Sequence, residues 1–79
     1  MTARAFVLIE TVVGSTKNVV DKLEQLADVK SADAVTGPYD IIAVVESDSL
    51  NDLGALVTGK IHPISGISRT VTCLTIRAE

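Results

Sequence analysis

The sequence has one cysteine (Cys73), one histidine (His62), no tryptophan and only two aromatic residues, Phe6 and Tyr39. A single thiol excludes an internal disulfide. One His and one Cys cannot give zinc its usual three or four nitrogen and sulfur ligands, so neither a metal nor a cofactor site is expected. No nucleophile stands with a base beside it, so no catalytic residue is nominated. Two aromatics leave little surface on which bases would stack. Seven Lys and Arg are scattered among ten Asp and Glu, for a net charge of -3. That balance provides no basic footprint for a phosphate backbone, so direct nucleic-acid binding is not expected. No apolar run reaches membrane-spanning length, and no basic segment leads into a small-residue cleavage site. The chain therefore reads as cytoplasmic and away from the membrane. Its glycines are dispersed, without a phosphate-cradling loop.

What is present fits one domain over residues 1–79, a size at which a hydrophobic core is marginal and a partner subunit often supplies the rest. Turn signals divide the chain into β-α-β-β-α-β. Ala5 to Val13 is an apolar, β-branched run closed by Gly14. Val19, Val20, Leu23, Leu26 and Ala27 then recur at helical spacing behind a Ser15/Thr16 cap. Val29 to Thr36 reads as an exposed strand, Gly37-Pro38-Tyr39-Asp40 as a turn, and Ile41 to Val45 as a buried strand. Ser49 and Asp52 have the spacing of a capping box. Leu50, Leu53, Val57 and Ile61 form the stripe of a second helix ending before Pro63, and Val71 to Ile76 is the last strand.

Right-handed crossovers fold this order into an α+β, ferredoxin-like unit: an antiparallel four-stranded sheet with both helices on one face. Strands one, three and four are apolar at successive positions, where a sheet wetted on one side would alternate. Two helices cover only one face, so the other is expected to pack face to face against a second copy.

The order of elements, the segment Thr36-Gly37-Pro38-Tyr39-Asp40-Ile41-Ile42 and the segment Gly66-Ile67-Ser68-Arg69-Thr70-Val71-Thr72 together resemble the effector-binding domain of the Lrp/AsnC regulators. That family has a Gly-x-x-Asp turn before an apolar strand, and a Pro-Gly-Val-like turn before a Thr-x-Thr strand. Ser65 stands here where the family often has proline. The resemblance covers nearly the whole chain. It implies a dimeric α/β barrel that assembles further into tetramers, octamers or similar rings, with a small effector, typically an amino acid, held between dimers. Met1 lies a few residues before the first strand, so the reading is of the module without a helix-turn-helix.

Each candidate residue has a structural reading beside the functional one. Asp40 would pair with an amino acid's ammonium group, or would close its own turn. Gly37 would bring backbone close to a ligand, or would serve the Gly-Pro turn alone. Pro38 would lend the turn backbone to the site, and Tyr39 would wall it or pack into the next dimer. Thr70 and Thr72 project on one face of a strand and would bind a polar ligand, or would be ordinary β-formers. His62 reads as a cation at a helix C-terminus, and Cys73 as an inert core thiol.

The effector-binding role is one reading. A ligand-free assembly partner of full-length Lrp/AsnC regulators is a second. A cofactor-free barrel enzyme is a third, opposed by the aliphatic side chains expected in the cleft. The ACT domain shares the element order but would leave the two quoted segments unexplained.

Overall fold

The computed structural model describes residues 2–76. Its elements are β1 (Ala3–Thr11), α1 (Thr16–Glu24), β2 (Val29–Ala34), β3 (Ile41–Ser47), α2 (Leu50–Leu56), a π turn over Val57–Ile61, and β4 (Ile67–Leu74). The strands form one antiparallel sheet in the order β2-β3-β1-β4, the ferredoxin-like arrangement expected. Alternation along the strands divides the side chains between two faces. Ala5, Val7 and Ile9 of β1 and Ile41, Ala43 and Val45 of β3 are buried beneath the helices, with Val19 and Leu23 of α1 and Leu53 and Leu56 of α2 closing over them.

The other face carries Phe6 and Leu8 of β1, Ile42 and Val44 of β3, and Val71 and Cys73 of β4. Register places Phe6 between Val44 and Cys73, and Leu8 between Ile42 and Val71. No element among the described residues covers this surface, and Phe6 is 36% exposed. Ion pairs stand at its two ends, Arg4 with Glu46 at 3.8 Å and Arg69 with Glu10 at 3.5 Å. An apolar centre between charged ends is the anatomy of a protein interface.

The element boundaries differ from expectation where tertiary contacts override local pattern. β1 ends at Thr11, leaving Val12 and Val13 exposed despite their β-branched character. Its register shifts at Glu10/Thr11, and the Val12 N–H donates to the Gly66 carbonyl at 2.7 Å. α1 stops at Glu24, short of Leu26 and Ala27, and the Ser15 side chain makes no cap bond. The cap expected at Ser49 is present: its hydroxyl accepts from the Asp52 N–H at 3.1 Å. Leu50, expected within the buried stripe, is instead 59% exposed. β4 begins at Ile67, four residues earlier than the apolar run suggested, because pairing with β1 holds Arg69 and Thr70 in the strand. Cys73 is exposed and lies on the uncovered face, not in the core.

Gly66 has a role that composition does not reveal. Its φ is +101°, and a Cβ there would lie 2.8 Å from Ser15 Cβ and 3.1 Å from Val19 Cγ2. The turn before β4 thus packs directly onto the start of α1.

Candidate functional site

The turn Gly37 to Asp40 joins β2 to β3. Gly37 takes a φ of +123°, which favours glycine. The Val35 N–H donates to the Asp40 carbonyl at 2.9 Å, so the closed loop begins before the predicted turn and releases Val35 and Thr36 from β2. Pro38 is exposed and Tyr39 half-buried.

Asp40 does not spend its carboxylate on its own turn. Oδ2 accepts from the Thr11 N–H at 2.8 Å and from the Thr11 hydroxyl at 3.2 Å. Thr11 Oγ1 in turn lies 2.8 Å from Thr16 Oγ1, in the first residue of α1. The Asp40 N–H donates to the Ile9 carbonyl at 2.9 Å. Asp40 is therefore held at the C-terminal end of β1. It is half-buried, and among the described residues no cationic side chain is paired with it. A carboxylate has about four acceptor positions, and Thr11 occupies only part of them.

Thr70 and Thr72 project on the helix-covered side of β4, opposite Ile9 and Val7. Thr70 Oγ1 lies 2.9 Å from His62 Nε2. Thr72 lies in a shallow apolar groove between α2 and β4. β1 separates these threonines from Asp40, because Asp40 bonds Ile9 on one side and Thr70 pairs with Ile9 on the other. For Thr70, two strand spacings make that separation about 10 Å. Within one protomer the structure thus groups Gly37 to Asp40 at one place, with Thr70 across β1 near the same end of the sheet and Thr72 opposite the middle of β1.

Sequence reasoning missed Thr11 and Thr16 as partners of Asp40, and placed His62 only as a helix-end cation. The Thr11–Asp40 contact spans 29 residues and carries no local signal. Among the described residues no group of three His, Cys, Asp or Glu side chains is placed to hold a metal ion. No helix there is long and apolar enough to cross a membrane.

The fold and the uncovered sheet together define a small α+β domain of ferredoxin-like order. The family model described as the Lrp/AsnC ligand binding domain matches residues 4–79, and the chain belongs to that family. The crystal structure of FFRP-DM1 is 39% identical and superposes with a TM-score of 0.90, covering 94% of this chain and 99% of that one. AsnC of E. coli is 27% identical with a TM-score of 0.90, over 96% of this chain and 52% of its own. This chain therefore corresponds to about half of that regulator. The transcriptional regulator NMB0573 of Neisseria meningitidis, solved as an L-Met complex, is 14% identical with a TM-score of 0.85, over 95% of this chain and 50% of its own, a likeness of fold alone. No curated protein matches.

Proposed function

We propose that this domain is a regulatory module that binds an amino-acid effector between dimers and couples binding to assembly, and so modulates transcriptional regulation. The observation that carries the reading is Asp40, a half-buried carboxylate fixed in direction by Thr11 with no cation of the described chain against it. An effector's ammonium group would complete that charge. The complex of NMB0573 with L-Met is consistent with such a ligand.

The separation of about 10 Å across β1 supports a site assembled from two protomers. One protomer offers the turn Gly37 to Asp40, another offers Thr70 and Thr72, and the effector joins them. Within each dimer the two uncovered sheet faces meet, burying Phe6, Leu8, Ile42, Val44 and Val71. Linkage then requires that the effector favour the larger assembly by as much as it binds that assembly better.

The test is light scattering of the purified chain with and without each amino acid, alongside calorimetry on the wild type and Asp40→Asn. Asparagine keeps an oxygen to accept from Thr11 but removes the charge. Effector-dependent growth of the assembly, lost in Asp40→Asn, supports the proposal. Assembly that no amino acid alters would favour the ligand-free partner of full-length regulators.

A further inference from the structure

The opposite end of the sheet holds a separate cavity. β3 runs the whole way from Asp40 to Ser47, about 23 Å at strand rise, so this cavity lies apart from the turn that carries Asp40. It has a volume of about 440 Å³ and is walled by the end of β3, the start of β2 and one side of α2 with its π turn. That is room enough for a small molecule.

Ser47 forms part of the cavity wall. Strand alternation turns it to the helix-covered face with Ile41, Ala43 and Val45, and it is only 8% exposed. Its Oγ is buried and has no hydrogen-bond partner among the described residues. A buried hydroxyl left unpaired costs stability that alanine would not, and a ligand's polar group would recover that cost.

The charged groups around Ser47 are segregated. Asp48 follows β3 directly, Asp52 lies in the first turn of α2, and Asp28 precedes β2, where its carbonyl accepts from the Glu46 N–H at 3.0 Å. These carboxylates line the outer end of the cavity, and Lys30 and Lys60 line the end nearer the middle of the sheet. The register of β2 shifts between Val29 and Ser31, leaving Lys30 without a partner on β3; a bulge of this kind re-aims a side chain. Lys60 follows Asp52 along α2 and the π turn, about 12 Å away at helical rise. Among the described residues none of these carboxylates and ammonium groups is in an ion pair, whereas Glu46 at the rim is paired with Arg4.

We propose that this cavity is a second binding site, for a small zwitterion whose ammonium and anionic groups stand several bonds apart, as in an ω-amino acid. The ammonium sits among Asp28, Asp48 and Asp52 and donates to Ser47 Oγ, and the anionic group lies between Lys30 and Lys60. An α-amino acid carries both charges on one carbon and does not span the two ends. A diamine or a diacid of the same length sets one of its charges against like charge.

The experiment is titration calorimetry of the full chain at low ionic strength with 5-aminopentanoate, 1,5-diaminopentane and glutarate, which share one chain length. The proteins are the wild type, Ser47→Ala, Asp52→Asn, Lys60→Gln and Asp40→Asn. Asp52→Asn keeps the backbone N–H from which Ser49 accepts, so the start of α2 is retained. The expected result is that 5-aminopentanoate binds at least about tenfold more tightly than the diamine or the diacid. Ser47→Ala, Asp52→Asn and Lys60→Gln should each weaken it about tenfold, as loss of one hydrogen bond to a charged group would, and Asp40→Asn should leave it unchanged. Without ligand, Ser47→Ala should unfold at a higher temperature than the wild type at equal protein concentration, because it removes the unpaired hydroxyl. Failure of 5-aminopentanoate to bind would overturn the proposal, as would affinity unchanged in Ser47→Ala. Equal binding of the diamine would reduce the cavity to an acidic surface that attracts any cation, and loss of binding in Asp40→Asn would move the ligand to the other end of the sheet; either overturns it. A lower unfolding temperature for Ser47→Ala would show that the hydroxyl is already bonded in the free protein and would overturn it as well.

Discussion

Replacing Gly66 with alanine should destabilise the domain through two separable causes. The first is backbone: at a φ of +101° an L side chain is disfavoured, at a cost of about 1–2 kcal/mol. The second is steric, since the new Cβ would meet Ser15 Cβ at 2.8 Å and Val19 Cγ2 at 3.1 Å. Overpacking of that kind costs about 1–3 kcal/mol. The sum, about 2–5 kcal/mol, is a large part of the 4–12 kcal/mol expected at roughly 0.05–0.15 kcal/mol per residue for a chain of this size. Urea unfolding followed by circular dichroism would measure it, at one protein concentration because assembly shifts the midpoint. A Ser15→Gly background separates the causes. It removes Ser15 Cβ and Oγ, so Gly66→Ala should cost less there, by about 1 kcal/mol or more, while the φ cost persists. A loss below about 1 kcal/mol in the single variant, or no relief in the Ser15→Gly background, would refute the claim that this turn is packed onto α1.

Three further outcomes follow from the geometry. Asp40→Ala leaves the half-buried Thr11 N–H without its acceptor and should cost about 1–3 kcal/mol in chemical unfolding, whereas Asp40→Asn should stay within about 1 kcal/mol of wild type. Ser49→Ala removes the hydroxyl that accepts from Asp52 and should lower stability by about 1 kcal/mol, with the assembly state unchanged in light scattering. Val44→Lys puts an ammonium at the centre of the uncovered sheet face; light scattering should show a monomer whose circular dichroism retains the fold. A dimer of undiminished stability in Val44→Lys would mean that copies do not meet through this face.

The fold was legible because apolar periodicity carries it. The continuous runs in β1, β3 and β4 announced both the sheet and its second apolar face, and the structure places Phe6, Leu8, Ile42, Val44 and Val71 there. Positions decided by distant contacts were not legible. Val12 and Val13 extend the β-branched run, yet β1 ends at Thr11, where Asp40 and Thr16 bond it. The Ser15/Thr16 pair suggested a cap, while the Thr16 hydroxyl turns instead to Thr11. Cys73 has apolar sequence neighbours, and strand alternation nevertheless places it on the uncovered face.

The candidate site was legible as residue types and not as an arrangement. Gly37, Pro38, Tyr39 and Asp40 lie at the turn between β2 and β3, Thr70 and Thr72 lie on β4 opposite Ile9 and Val7, and β1 divides the two sets, a division that only the order β2-β3-β1-β4 reveals. His62 followed the helical pattern only until the π turn carried it to Thr70, and helix periodicity cannot signal an inserted residue.

Binding of an amino acid to the assembled domain would raise its thermal stability. Thermal unfolding of the purified chain against each common amino acid, at fixed protein concentration, measures that rise. An effector at about 100 times its Kd adds roughly 2.7 kcal/mol per site, enough to raise the midpoint of a domain this small by several degrees. A selective rise with one chemical class, lost in Asp40→Asn, is the predicted result. Midpoints unmoved by every amino acid would contradict such binding.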